Sequence, residues 1–328
     1  MEDIVGSGQD AGDFSIRTGY YLACASKAAY YHAPGDWVKT LGLRTAEVFN
    51  SGQFHGFVGW LGRAALVTFR GTESVGNCLT DLETPLVQRP PYSGRIHLGF
   101  AEAVTAVWPQ VLRLLGDPRR AMPVWLAGHS LGGAMATLAA VRLVSEGYNV
   151  RAVYTCGSPR AGNHIFRNSY KLANFRFVNQ DDIVPHLPFR WCYKHVGRLK
   201  LLDQDGDLTE SEAAWKALKR AMAQKARQVQ QAHAGQLGVR RQISEFEWLT
   251  DHHVDQYLAA IWRVLARVPQ RRPDQLGNIA LELPDCKPRM DAGSPSGGRP
   301  ARPHDRPKTV ISEAAFAEAF FRQGPGAK

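Results

Sequence analysis

The sequence predicts an α/β protein with a mostly parallel central sheet and helices on both faces. Three observations carry this. Between residues 54 and 180, strand-like apolar runs alternate with segments of helical periodicity, the pattern of βαβ units. The runs "AALVTF" (64–69) and "VWLAG" (124–128) are apolar almost throughout and read as strands. The stretch "VWLAGHSLGGAMA" (124–136) passes through a glycine-flanked turn straight into a small-residue helix.

The elements follow in order. Residues 1–13 read as a flexible tail. Residues 14–32 place apolar side chains at helical intervals, which predicts a helix. Residues 54–71 read as two strands, the second ending at Gly71. Residues 72–94 lose regular pattern and read as a long loop. Residues 97–116 form an amphipathic helix closed by Gly116. A strand at 123–127, a helix at 131–145, a strand at 150–157, a short helix near 162–172 and a strand at 175–180 follow. Residues 192–208 read as two short strands around the turn Asp203–Asp207, a hairpin rather than a calcium loop, because no glutamate stands at the twelfth position. A basic helix at 211–235 carries Trp215, Leu218, Met222 and Val229 on one stripe and Lys216, Lys219, Arg220, Lys225 and Arg227 on other faces. A last large helix starts near Asp251. Pro, Gly and Arg dominate 268–308, which reads as disordered, and a short terminal helix follows. The domain expectation is thus a tail at 1–13, one globular domain at 14–267 with a basic helical insertion at about 208–245, and a tail at 268–328.

Bulk properties narrow the classes. The chain has 328 residues, 44% hydrophobic, which is ample for a large core. The formal net charge is +10. The basic residues form no compact run and no zinc-finger spacing exists, so nucleic-acid binding is not expected. Five cysteines, Cys24, Cys78, Cys156, Cys192 and Cys286, are an odd number with no pair at metal-ligand spacing. No metal and no cofactor are expected. The first residues, "MEDIVGSGQD", are acidic where a signal peptide is basic and apolar, and no window reads as a membrane span. The expectation is a cytoplasmic protein, with export by a route that uses no signal peptide left open.

The motif Gly128-His129-Ser130-Leu131-Gly132 arises by chance in roughly one chain in ten of this length. Its context must therefore decide. A serine hydroxyl needs a base within hydrogen-bond reach, and the base needs an orienting acid. Ser130 lies between a predicted strand and a predicted helix, the setting of a nucleophile elbow. His129 is adjacent, but on a tight turn neighbouring side chains diverge, so it reads as a packing or hydrogen-bonding residue. The acid belongs at the carboxyl end of a later strand, where "NFRFVNQDDIVPHLP" offers Asp181 and Asp182. The histidine belongs later still. His186 and His195 sit too near the acid's own loop, His233 lies in the basic helix, and His252 and His253 head the last large helix. An oxyanion site needs N–H groups from the helix start and from an earlier strand end, which points to Leu131 and Thr72.

Taken together, these blocks resemble the class 3 lipases of the α/β-hydrolase superfamily, from about residue 20 to residue 265. "FRGTES" (69–74) is similar to the family's oxyanion segment, and "IHLGF" (96–100) to its His-x-Gly-Phe helix start. "GHSLGGAMA" (128–136) resembles the nucleophile block, and "YTCGSPRAGN" (154–163) a strand-end block. "NQDDIVPHLP" (179–188) resembles the acid block, "YKHVG" (193–197) the strand that follows, and "DHHVDQY" (251–257) the histidine block. The resemblance implies Ser130, Asp182 and His252 as the catalytic triad, in preference to Asp181 and His253, with Thr72 and Leu131 at the oxyanion hole. It implies a lipase or esterase acting on acylglycerol or other lipid esters. The alternatives are a phospholipase A1-type enzyme, an esterase for water-soluble esters, and a lipid-binding module on a hydrolase fold. Cys78 stands where the family often has tryptophan. The segment "GNCLTDLETPLVQRPP" (76–91) is short and weakly amphipathic, so interfacial activation by a lid is not expected. The expected partners are a lipid or small ester substrate and, through the basic helix, an anionic membrane surface.

Overall fold

The computed structural model describes residues 13–31, 35–72, 84–120, 122–180, 182–188, 192–203, 205–221 and 251–268. Its centre is an eight-stranded sheet in the order β1-β2-β3-β6-β7-β8-β9-β10. The strands are β1 Thr45–Ser51, β2 Phe54–Leu61, β3 Ala64–Phe69, β6 Pro123–His129, β7 Asn149–Cys156, β8 Asn174–Asn179, β9 Arg198–Leu202 and β10 Leu208–Thr209. Strands β3, β6, β7, β8 and β9 run parallel, flanked by antiparallel β1 and β2 on one side and β10 on the other. Two short strands, β4 Leu86–Val87 and β5 Ile96–His97, pair separately. The expected mostly parallel sheet with helices on both faces is the observed architecture.

The apolar runs are explained by burial on both faces. In β3, Ala65, Val67 and Phe69 join the core under helices α3 (Leu98–Leu115) and α4 (Leu131–Ser145). Ala64 and Leu66 join the opposite core, under α1 (Ile16–Ala28) and α7 (Val254–Arg267). Strand β6 divides in the same way, with Val124 and Leu126 on one side and Trp125 and Ala127 on the other. Side chains alternate across a strand, so a strand covered on both faces is apolar at most positions rather than at every second one.

Helix ends follow their sequence signals. Ser15 caps α1 by accepting the Thr18 N–H. His97 caps α3 by accepting the Phe100 N–H, and its ring stacks on Phe100 at 3.9 Å. Gly116, at φ 73°, closes α3. Asn163 caps α5 (His164–Ser169), its Oδ1 accepting from Phe166 and Arg95. The hairpin at Asp203–Asp207 is present: the Asp203 N–H donates to the Asp207 carbonyl, the Asp207 N–H donates to Asp203 Oδ1, and Gly206 sits at φ 76°.

Three differences from the sequence reading have physical reasons. Strand β1 was not foreseen. It is an edge strand whose only buried residue is Phe49, so it shows no apolar run. Helix α2 (Gly35–Thr40) is a six-residue piece, too short for a periodicity to register. The basic helix is described over 212–221 as α6. Trp215 packs inward as expected, but Lys219 turns onto the Trp215 ring, its Nζ 5.1 Å from the ring centre, while Lys216 and Arg220 are exposed. The rest of that helix, both tails and the segment 73–83 with the expected lid position lie outside the described residues.

The N-terminus of α4 approaches the sheet closely. A Cβ on Gly132 would stand 2.1 Å from the Phe69 carbonyl oxygen, and one on Gly128 would stand 2.2 Å from the Gly132 oxygen. Both obstacles are backbone, which cannot swing aside. Gly132→Ala is therefore expected to destabilise the protein by at least about 1–3 kcal/mol, the usual cost of overpacking. Urea denaturation measures it, and an unchanged midpoint would contradict this packing.

Candidate active site

Ser130 sits where β6 turns into α4, at φ 58° and ψ −131°. It is one of two non-glycine residues at positive φ among the described residues. A backbone in this region carries strain that the surrounding structure must hold. Here the Ser130 N–H donates to the Cys156 carbonyl at 2.9 Å, and Gly133 and Ala134 donate back to the Ser130 carbonyl. The Ser130 side chain does not cap the helix it begins. It is 1% exposed and faces the end of β3, because a Cβ on Gly71 would lie 3.0 Å from the Ser130 Cβ.

Asp182 is fully buried. The turn before it holds Gln180, the other non-glycine residue at positive φ, and is tied by Gln180 N–H to Leu202 O and Asp182 N–H to Asn179 O. Three donors converge on the carboxylate. The Val184 N–H reaches Oδ1 at 2.8 Å, His252 Nδ1 reaches Oδ2 at 2.8 Å, and the Tyr257 hydroxyl reaches Oδ2 at 2.6 Å. A carboxylate only accepts, so His252 Nδ1 carries the proton of this contact. In the neutral ring Nε2 then holds the lone pair. That nitrogen is buried and has no hydrogen-bond partner.

Gly157 is the residue that lets these groups meet. It follows Cys156, which holds the Ser130 N–H, and has φ 62°. A Cβ there would stand 2.9 Å from Asp182 Oδ2 and 3.0 Å from the His252 ring. The structure thus gathers Ser130, Asp182 and His252 at the carboxyl edge of the parallel strands. His253 is exposed and caps α7 from outside the cluster. Asp181 lies outside the described residues.

Thr72 and Leu131 flank the same corner. Leu131 is the first residue of α4, and the opening N–H groups of a helix have no intrahelical acceptor. Thr72 follows Gly71, and its Oγ1 is buried without a hydrogen-bond partner.

His129 is not within the proton path. Its Nε2 lies 2.6 Å from the His252 carbonyl oxygen and its Nδ1 2.7 Å from the Tyr30 hydroxyl. A carbonyl can only accept, so Nε2 donates and Nδ1 accepts from Tyr30. The two histidine rings pack 4.6 Å apart. Burial, with the neighbouring His252 ring, holds the His129 pKa well below the usual histidine value. Its role is to fasten the backbone of His252 to the elbow.

Two residues escaped the sequence reading. Tyr257 receives the Asn179 N–H at 3.0 Å while donating to Asp182, and burial beside that carboxylate drives its pKa well above the usual tyrosine value. Its position in the first turn of α7 carries no signal beyond that of a core aromatic residue. Tyr30 carried no signal, since it ends a helix remote in sequence from every block.

Residues 66–191 match the family model of the class 3 lipases. A lipase of Rhizomucor miehei is 37% identical over 133 residues, covering 37% of this chain and 37% of that protein. The secreted mono- and diacylglycerol lipase 1 of Fusarium solani is 35% identical over 158 residues, covering 45% of this chain and 47% of that protein. The chain therefore spans less than half the length of these curated relatives. The solved structure of the Rhizomucor miehei triacylglyceride lipase superposes with a TM-score of 0.51 at 27% identity, covering 60% of this chain and 82% of that one. The fold is the α/β-hydrolase fold.

One expectation is overturned. The cytoplasmic location conflicts with relatives that are named as secreted. Among the described residues Cys24, Cys156 and Cys192 are free thiols, and the first two are buried. No helix among the described residues is long and apolar enough to cross a membrane.

Two predictions follow from this geometry. Tyr257→Phe leaves the buried Asn179 N–H without an acceptor and Asp182 with one donor fewer. It is expected to cost about 1–3 kcal/mol in urea denaturation, and a neutral result would mean that the tyrosine bonds are dispensable. His129, His186 and His195 are all held neutral by burial, with pKa values well below 6.5. Unfolded histidines bind protons near pH 6.5 while these do not. The stability they contribute is complete above that pH and is lost as pH falls below it, by up to about 1.4 kcal/mol per pH unit for each. Thermal melts between pH 7 and 5 should show Tm falling, and a flat profile would contradict neutral burial.

Proposed function

We propose that the chain is a serine carboxylic-ester hydrolase that acts on acylglycerols through an acyl-enzyme. The observation that carries this is the His252 ring: one nitrogen is fixed on a buried carboxylate and the other is buried without a partner, beside a strained serine. The similarity to a triacylglyceride lipase and to a mono- and diacylglycerol lipase supports the substrate class.

Ser130 Oγ attacks the ester carbonyl carbon while His252 Nε2 takes its proton. Asp182 keeps the ring in the required tautomer and stabilises the imidazolium. The tetrahedral oxyanion is held by the N–H groups of Leu131 and Thr72 and by the Thr72 hydroxyl. His252 then gives its proton to the leaving alcohol. Water repeats the sequence in reverse and releases the carboxylic acid. Fixed donors placed where charge develops are worth about 2.7–4 kcal/mol each in such sites.

The exposed Lys216 and Arg220 of α6 support peripheral contact with anionic lipid as part of the same reading. A lipid-binding module without catalysis has no use for an unpaired base nitrogen buried beside a serine, so the enzymatic reading is preferred.

Hydrolysis of a nitrophenyl ester and of a diacylglycerol emulsion tests the proposal. Ser130→Ala should lose at least about 10³-fold in kcat with an unchanged melting temperature. Activity retained in that variant, or failure of the wild type to label with a fluorophosphonate probe, overturns it.

A further inference from the structure

A dense group of positive charge lies outside the corner just described, on the other face of β8. Phe175 and Phe177 point towards α1 and α7. Arg176 and Val178 point the opposite way, towards Trp215 of α6. The Arg176 guanidinium lies 5.8 Å from the Trp215 ring centre, Lys219 Nζ lies 5.1 Å from it, and His186 stacks on the ring at 4.3 Å. Arg160 closes the group from the loop after β7, its Nη1 donating to the Pro188 carbonyl at 3.0 Å.

The cluster is unsatisfied. Arg176 is 6% exposed, and its Nε and Nη1 are buried with no hydrogen-bond partner. His186 is 4% exposed, and its Nε2 is also without a partner. Burial draws Arg176 down to about 10, with repulsion from Arg160 adding to the effect, and burial draws Arg160 to about 10. Glu212 is the acid that acts on Arg176 and Lys219 among the described residues, and it is exposed. Arg176 and Lys219 thus share one solvated carboxylate, and Lys194 adds further positive charge beside Lys219. Buried guanidinium donors left unpaired are among the most costly groups a fold can hold.

We propose that this cluster is an anion-binding site for a phosphate group, with Arg176 and His186 as its buried donors and Arg160 and Lys219 supplying the remaining charge. The excess of positive charge over the single carboxylate suits an anion. The planar guanidinium, with donors on several edges, suits the tetrahedral array of phosphate oxygens. A free phosphate and a lipid headgroup share this recognition chemistry. The site stands on β8 and α6 and does not depend on the hydrolase reading.

The test is a thermal melt of the full chain with potassium phosphate, compared with potassium chloride at equal ionic strength. Phosphate at about a hundred times its dissociation constant should raise Tm by about 5 °C or more. The rise should vanish in Arg176→Met and weaken at least tenfold in apparent affinity in Lys219→Met. The second variant, at the rim, decides the matter where the first fails to fold. A wild-type Tm that responds equally to phosphate and chloride, or a Lys219→Met response equal to wild type, overturns the proposal. Displacement of phosphate by a water-soluble short-chain phosphatidate assigns the site to a lipid headgroup. Failure of that lipid to compete assigns it to the free ion.

Discussion

The buried carboxylate of Asp182 is the constraint on which the corner depends. A carboxylate taken fully out of water is stable only if its oxygens are met by donors. Three elements supply them: the loop after β8 through the Val184 N–H, the segment before α7 through His252, and the first turn of α7 through Tyr257. Those same bonds decide where α7 docks. Tyr257 is fully buried and also receives the Asn179 N–H, so the helix is pinned to the end of β8 at the point where the acid emerges. Packing of α7 on α1 then completes the second core.

The second requirement is space. The corner that holds Ser130, His252 and Asp182 is possible only because the chain has no side chain at Gly71, Gly128, Gly132 and Gly157, where a Cβ would enter backbone, the Tyr30 hydroxyl or the His–Asp pair. The positive φ of Ser130 is held from outside by the bond to Cys156 and from within by the first turn of α4. His129 adds a third restraint through the His252 carbonyl. The strain of the elbow is therefore distributed over β6, β7 and the loop before α7.

How much of this was readable in the sequence follows from the range of each signal. The parallel strands and α3, α4 and α7 declare themselves because burial on both faces, or on one stripe, dictates composition locally. Ser130, Asp182 and His252 could be named together as candidates only through serial blocks, since no local pattern places a histidine against an aspartate so remote in sequence. Tyr30 and Tyr257 serve through one hydroxyl each at a position fixed by tertiary contact, and an aromatic residue at helical spacing looks like any core residue. Strand β1 was hidden because its pairing with β2 uses backbone groups, which carry no side-chain signature.

Strand β8 shows how one sequence run serves two opposite electrostatic problems. Its end places an acid in the interior and satisfies it completely. One turn of the pleat earlier it places an arginine in the interior and leaves two nitrogens without acceptors. Both groups are fixed by the same pairing of β8 with β7 and β9, so neither can relax without disturbing the other. A fold that meets the needs of one buried charge with three donors has the means to satisfy another. Arg176 sits beside Trp215, His186 and Lys219, none of which offers a carboxylate. The local composition adds cations and an aromatic face to a cation whose one acid, Glu212, is exposed, and a bound anion would supply the missing acceptor.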